Sequence, residues 1–314
     1  MSASPRRVRW LAIACLAAAE AWLLPGTVFA QDLEPRRWSH LPIGLNVAGA
    51  GLAVTDGDIL FDPVLRIEDA TFELYSMVGS YVRSFEWLGR SSRIDVLVPY
   101  GYGRWEGLVD GEYTAVRRHG FRDPRIRLSM HLYGAPPLQG AAFMDYRARH
   151  PTGTTVGAAI AVTLPLGEYY PERLINLGNN RYVVRPQLGV LHYRGPWQFE
   201  LTTSVAFFED NDSFFGDTRL QQEPLWFVQG HVIRSFARGM WASLSGGFSY
   251  GGESEINDVP KENDERTRYF ALSLGMPLSR QQSIKLAYVN AETNILLGSN
   301  SDSLVLSWSL AWAH

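Results

Sequence analysis

The chain has 314 residues, with 29 Lys and Arg against 32 Asp and Glu, a single cysteine and 12% aromatic residues. One cysteine, Cys15, excludes a disulfide framework and a metal site built on several thiolates. The near balance of charge gives no sign of a nucleic-acid partner, and nothing in the composition indicates a cofactor.

The first thirty residues are typical of an export signal. A basic start, an apolar run and a small-residue cleavage site follow one another at Arg6 to Arg9, 10–24 and Val28 to Ala30. The apolar run is shorter than the roughly twenty residues of a membrane-spanning helix. We therefore expect a signal peptide over 1–30 and a single mature domain over 31–314.

From residue 41 onward, apolar and polar residues alternate with a period of two, which indicates strands with two different faces. In the last run, for example, Leu304, Leu306 and Trp308 alternate with small or polar residues. This pattern predicts twelve strands, at 41–54, 72–85, 92–105, 122–134, 154–164, 181–194, 196–208, 222–236, 238–252, 266–278, 280–290 and 302–313.

The connections between these strands alternate between long loops and tight turns. Long connections follow the odd strands, and tight turns are predicted at Trp87 to Arg90, Gly195-Pro196, Ala237-Arg238 and Ser279-Arg280. Segment 135–153 is the exception, because it is long where a turn is due. An even strand number with short inner turns and long outer loops is typical of outer-membrane barrels. The sequence therefore predicts an all-β, antiparallel up-and-down transmembrane β-barrel in the outer membrane of a Gram-negative bacterium.

Seven blocks of sequence resemble a bacterial family described as "MetA-pathway of phenol degradation" proteins. They are Asp56 to Pro63, Tyr81 to Phe85, Arg93 to Tyr100, Gly120 to Arg125, Ile175 to Arg181, Arg185 to Gly189 and Asp210 to Gly216. The resemblance implies an outer-membrane barrel that takes up aromatic or other apolar compounds, and it implies no particular binding residues.

If the apolar phase of each strand faces lipid, the other phase faces the lumen. The candidate lumen and solute-pathway residues are Glu73, Arg93, Asp95, Arg125, Arg127, His131, Arg185, Gln187, Glu200 and His231. Arginines in a lumen attract carboxylates or phenolates, because the guanidinium group pairs with planar anions. The alternative is that these arginines form ion-pair ladders with Glu73, Asp95 and Glu200 that only hold the barrel in shape.

The function predicted from these observations is a channel for small solutes, either apolar compounds or organic anions. A non-conducting structural or adhesion barrel is the alternative. A lipid hydrolase is less favoured, because His192 lies on the outward phase but no Gly-x-Ser-x-Gly or His-Glu-x-x-His motif is present. We expect no enzyme activity and no metal site, although the acidic outer loops are open to divalent cations. The expected partners are the solute, outer-membrane lipid and lipopolysaccharide, whereas the oligomeric state cannot be read from the sequence.

Overall fold

A computed structural model describes residues 33–60, 67–173, 175–216, 218–293 and 298–313. The expected signal peptide at 1–30 and residues 61–66 of the first long loop lie outside this part of the chain.

Strands make up most of the described chain. Their bounds are β1 Leu45–Leu60, β2 Ile67–Trp87, β3 Arg90–Val109, β4 Glu112–Phe121, β5 Arg125–Tyr133, β6 Thr152–Thr163, β7 Val183–Arg194, β8 Trp197–Phe208, β9 Asn211–Phe214, β10 Thr218–Gln222, β11 Leu225–Ser235, β12 Trp241–Gly251, β13 Ser254–Ile256, β14 Val259–Pro260, β15 Glu265–Pro277, β16 Gln282–Thr293 and β17 Gly298–Ala313. One α-helix, α1, covers Gly140–Arg149, and a 3₁₀ turn covers Ala237–Gly239.

Twelve of these strands form a closed antiparallel barrel. The strands pair in the order β2, β1, β17, β16, β15, β12, β11, β8, β7, β6, β5 and β3, and pairing between β2 and β3 closes the ring. Closure leaves no unpaired barrel edge at the closing seam, as a structure in lipid requires. All twelve predicted strands and the predicted fold class are confirmed.

The outer wall is apolar over the middle of the strands. Leu52, Met77, Leu201, Leu272 and Leu306 are each about half exposed, on the face opposite the lumen. Aromatic side chains occur toward the strand ends, among them Trp226, Tyr250, Tyr100, Tyr102, Trp197 and Trp308. This apolar band with aromatic residues near its borders is the lipid-facing surface of an outer-membrane barrel.

The barrel has a turn end, with the short connections, and a loop end, with the long ones. By the usual topology of such barrels the turn end faces the periplasm and the loop end faces the outside. At the loop end, the predicted loop 106–121 is instead a hairpin in which β3 continues and pairs with β4. A separate sheet of β9, β10, β13 and β14 is built from the connections after β8 and β12.

The irregular segment 135–153 contains α1, which lies at the turn end. Its Tyr146 hydroxyl donates a hydrogen bond to the Gly134 carbonyl (3.2 Å), and Arg147 stacks over the ring of Tyr193, 4.5 Å from its centroid. None of the described helices is long and apolar enough to span a membrane.

Candidate solute pathway

The turn-side half of the lumen is occupied by the chain's own residues 33–44, called here the N-terminal segment. It leaves the lumen at the turn end, where Gly44 N donates to Ser84 O (3.0 Å) and Ile43 N to Leu138 O (2.9 Å). Trp38 is its anchor, with only 1% of its surface exposed. Its role was not predictable from the strand pattern, because most of the segment precedes the first predicted strand.

A slot in the barrel wall holds the Trp38 ring. Gly157, Gly189 and Thr202 lie opposite one another on β6, β7 and β8. A Cβ atom on Gly189 would lie 1.8 Å from Trp38 Nε1, and one on Gly157 would lie 2.5 Å from Trp38 Cε3. Thr202 completes the slot, since its Oγ1 accepts a 2.8 Å hydrogen bond from Trp38 Nε1. Any larger side chain at either glycine would exclude the ring.

Polar side chains of the wall bind the backbone around Trp38. Glu200 Oε1 accepts from Trp38 N (3.3 Å), and the Trp38 carbonyl accepts from His131 Nε2 (3.2 Å) and Thr155 Oγ1 (3.3 Å). These contacts satisfy backbone groups that would otherwise be buried without partners.

Charged residues of the segment reach both sides of the lumen. Arg37 Nη1 donates to Gln187 Oε1 (3.2 Å), whereas Glu34 lies 3.6 Å from Lys285 Nζ on the far wall. Arg36 stacks over Trp241, 5.3 Å from the ring centroid. The segment therefore crosses the lumen instead of lining one side of it.

His40 joins the segment to α1. Its Nε2 donates to the Pro136 carbonyl (2.8 Å), and its ring packs edge-on against Phe143 and Tyr146, with centroids 4.8 and 5.7 Å away. Burial lowers the pKa of His40 to about 4, so the ring is neutral near pH 7.

Asp95 is the centre of an ion-pair cluster on β3 and β5, next to the strands that form the Trp38 slot. Arg127 approaches it with Nη2 at 3.0 Å and Nε at 3.2 Å, and Arg93 Nε lies 3.2 Å from the same carboxylate. Two cations share one anion, so the cluster carries a net positive charge.

Nine of the ten candidate lumen residues lie on the inner face of their strands, and the exception is Glu73. The inner nine are Arg93, Asp95, Arg125, Arg127, His131, Arg185, Gln187, Glu200 and His231. His231 bonds to Ser245 Oγ (2.7 Å) and Gln229 Oε1 (3.2 Å) and lies opposite Glu200 across the β11–β8 pair.

The prediction for Glu73 is wrong. Glu73 is exposed on the outer face together with Tyr75 and Met77, while Phe72 and Leu74 point inward and are buried. β2 has 21 residues, about twice what a membrane crossing needs. Near the loop end of β2 the inner face is apolar. The rule that the apolar side chains of a strand face lipid and the others face the lumen therefore does not apply there.

The loop-side half of the lumen is lined largely by apolar residues. Leu33 at the tip of the N-terminal segment packs there with side chains of β8, β11, β15 and β16: Ala206, Leu225, Phe227, Tyr269, Ala271, Val289 and Ala291. Val183 and Phe208 pack against this cluster from the loop end. Its aromatic members stand on the strand phase expected to carry polar side chains, so the alternation of the sequence does not reveal the cluster.

Asp123, between β4 and β5, fixes the long loop 165–180 over the loop end. Its carboxylate accepts hydrogen bonds from Gly167 N (2.9 Å), Asn179 N (2.7 Å) and Asn179 Nδ2 (3.0 Å). Asn211 extends the network, with Nδ2 donating to Asn179 O (3.3 Å). Three of the sequence blocks that resemble the phenol-degradation family therefore meet at one place.

Among the residues that the structure describes, no three His, Cys, Asp or Glu side chains form a group suited to holding a metal ion. Divalent-cation binding by the acidic outer loops therefore has no ligand set in that part of the chain.

Comparison with known proteins agrees with the fold. The model of the family described as "Putative MetA-pathway of phenol degradation" matches residues 54–289, well over half of the chain. The COG4313 outer membrane channel from Pseudomonas putida F1 superposes with a TM-score of 0.72 at 16% identity, covering 89% of this chain and 99% of that one. The β domain of the Bordetella autotransporter BrkA covers 86% of this chain and 100% of its own at 9% identity, with a TM-score of 0.46. No curated protein sequence matches the chain significantly. Fold and family together place the protein in the bacterial outer membrane.

Proposed function

We propose that this chain, which belongs to the "Putative MetA-pathway of phenol degradation" family, is an outer-membrane channel for small solutes whose turn-side half is closed by its own N-terminal segment. The observation that carries the proposal is the slot of Gly157, Gly189 and Thr202, which receives Trp38 inside a closed barrel. A barrel of twelve strands is wider than one that side chains alone fill. The segment occupies space that would otherwise be an aqueous path.

The solutes that suit this lumen are small aromatic or apolar compounds and organic anions. Apolar side chains line the loop-side half, and the Arg93, Asp95 and Arg127 cluster adds net positive charge below it. A neighbour of known structure is described as an outer membrane channel, and the family name refers to phenol degradation. Both descriptions support a solute of this kind.

The outer wall suits lipid and lipopolysaccharide, because its apolar band is flanked by aromatic side chains. We propose no catalysis. Thr154 Oγ1 lies 2.9 Å from His192 Nδ1 on the outer wall, but no carboxylate among the described residues bonds to that histidine.

Conductance in a planar lipid bilayer tests the proposal. The purified protein should conduct weakly or in brief openings, and the Trp38→Ala variant should conduct more and stay open longer, because the truncated side chain loses both the slot and the bond to Thr202. A barrel that conducts in neither form would be structural or adhesive, and the channel proposal would fail.

A further inference from the structure

Arg181 is a cation at the loop end whose donors are largely unused. It stands just before β7 on the inward phase and is 3% exposed. Its Nη2 donates to Gln222 Oε1, but its Nε and Nη1 have no hydrogen-bond partner although both atoms are buried. Unpaired buried donors are uncommon and costly, because they lose their water without gaining a replacement.

The carboxylates near Arg181 do not account for these free donors. Asp210 and Asp123, together with the Tyr169 hydroxyl, interact with the guanidinium only electrostatically. Asp210 is bonded to Arg219 and Asp123 is occupied by the backbone of loop 165–180. An acceptor for Nε and Nη1 therefore has to come from outside this set.

An apolar surface begins directly beside the free donors. The guanidinium carbon of Arg181 lies 4.7 Å from the centroid of the Phe208 ring. Phe208 and Val183 pack against the lumen cluster that contains Phe227 and Tyr269. A ligand with an anionic head at Arg181 would thus lay its body along Phe208 toward Phe227.

The positively charged residues continue down the same strand. Arg185, four residues on, lies on the same inner face roughly 13 Å deeper, and Gln187 beyond it contacts Arg37 of the N-terminal segment. Glu265 interacts electrostatically with Arg185. An anion released from Arg181 would therefore meet a second cation along β7.

From this arrangement we infer that Arg181 and Phe208 form a binding site for a small carboxylate with an aromatic or apolar body, of which benzoate is the simplest probe. The inference rests on the proposed channel function, since it places this site at the outer end of the pathway. Gln222 belongs to β10, in the separate sheet of β9, β10, β13 and β14 at the loop end. Its side chain accepts a hydrogen bond from Arg181, so a bound carboxylate would displace it or bind beside it.

Calorimetric titration of the purified barrel in detergent with sodium benzoate tests the site without requiring conduction. The wild-type protein should bind benzoate more tightly than the neutral benzyl alcohol and more tightly than acetate, which lacks the ring. Arg181→Gln should weaken benzoate binding by about ten-fold or more, since it removes a charged donor pair. Phe208→Ala should weaken benzoate binding while leaving that of acetate unchanged.

Arg234→Gln is the matched control, because Arg234 also stacks on aromatic rings, those of Trp197 and Phe236, but lies on the outer wall. Its benzoate affinity should equal that of the wild type. Equal benzoate affinity in Arg181→Gln and wild type would overturn the site. If Arg181→Gln fails to fold, equal affinity of the wild type for benzoate and benzyl alcohol would overturn it. Benzoate binding through Arg181 in a barrel that conducts nothing would support the site and refute only the channel.

Discussion

The two halves of the lumen differ in what their inward side chains contact. In the turn-side half, Glu200, His131, Thr155 and Thr202 each bond to Trp38. In the loop-side half, apolar side chains surround the tip residue Leu33, and the buried Arg181 keeps two nitrogen atoms without partners.

This difference separates a site built for a part of the chain from a site that lacks its ligand. Burying a polar group is tolerable when a partner satisfies it and costly when none does. In the turn-side half, Trp38 supplies a partner for Thr202, Thr155 and His131 and for one oxygen of Glu200. The loop-side half is complete only when an acceptor from outside reaches Arg181.

Filling the slot should have the largest effect on the turn-side half. Gly189→Val would place side-chain atoms where the Trp38 indole lies, since even a Cβ atom would be 1.8 Å from Nε1. Loss of the buried Trp38 contacts should reduce the free energy that holds the N-terminal segment in the lumen by about 3–5 kcal/mol. Single-channel conductance should rise, and trypsin should cut at Arg36 and Arg37.

Gly230→Val is the control, because a Cβ atom there would meet its nearest neighbour, Glu200 O, at an ordinary 3.7 Å. If Gly189→Val matched this control in conductance and in trypsin resistance, the segment would not depend on the slot.

The ion-pair cluster should show the next largest effect. Asp95→Asn would leave Arg93 and Arg127 without their shared anion, and breaking such a pair costs about 3 kcal/mol when the remaining charge stays buried. The urea midpoint of barrel unfolding should fall, and the reversal potential under a salt gradient should shift toward anions. Glu106→Gln, which removes the partner of Arg104 on the outer hairpin, should change neither quantity appreciably. An unchanged reversal potential in Asp95→Asn would show that ions do not pass this cluster.

The barrel was predictable because strand periodicity is local. Runs such as Leu304, Leu306 and Trp308 carry the apolar phase within a few residues, and lipid imposes that phase on every strand that crosses the membrane. The same rule misplaced Glu73, because the loop end of β2 stands beyond the lipid and buries Phe72 and Leu74 inside.

The contents of the lumen were not predictable from such patterns. Trp38 and Gly189 are far apart in sequence, and neither residue type signals a slot until the barrel brings them together. The unpaired nitrogen atoms of Arg181 are likewise a property of its surroundings. Alternation identified nine inward residues, but it could not show which of them bind the N-terminal segment.

Loosening the loop end should have a smaller effect, confined to the loop-side half. Asp123→Asn would replace one of the acceptor oxygens that hold Gly167 and Asn179 with a donor, at a cost of about 2 kcal/mol. Loop 165–180 should become cleavable by trypsin at Arg173, while Arg36 and Arg37 remain protected. Asp145→Asn on α1 is the control and should leave both regions protected. Cleavage in both regions of Asp123→Asn would mean that loosening the loop end also releases the N-terminal segment. The two halves would then not be independent.

The smallest expected effect is a pH dependence of the N-terminal segment through His40. The pKa of His40 is lowered to about 4 in the folded protein, against an ordinary value of 6.5, because the ring is buried between Phe143 and Tyr146 and faces His131 and the positive charge of Arg147. His40 therefore binds fewer protons when the N-terminal segment is in the lumen than when the segment is released. The contribution of His40 to holding the segment in the lumen is fully present above pH 6.5 and is lost progressively as the pH falls from 6.5 toward 4. Channel open time should increase over that range. In His40→Gln, which keeps a donor for the Pro136 carbonyl but does not titrate, most of this slope should disappear. If channel open time depends on pH as strongly in His40→Gln as in the wild type, another group, such as His131, carries the pH dependence. The contact that weakens at low pH would then be the one between the segment and the barrel wall, and not the one between His40 and α1.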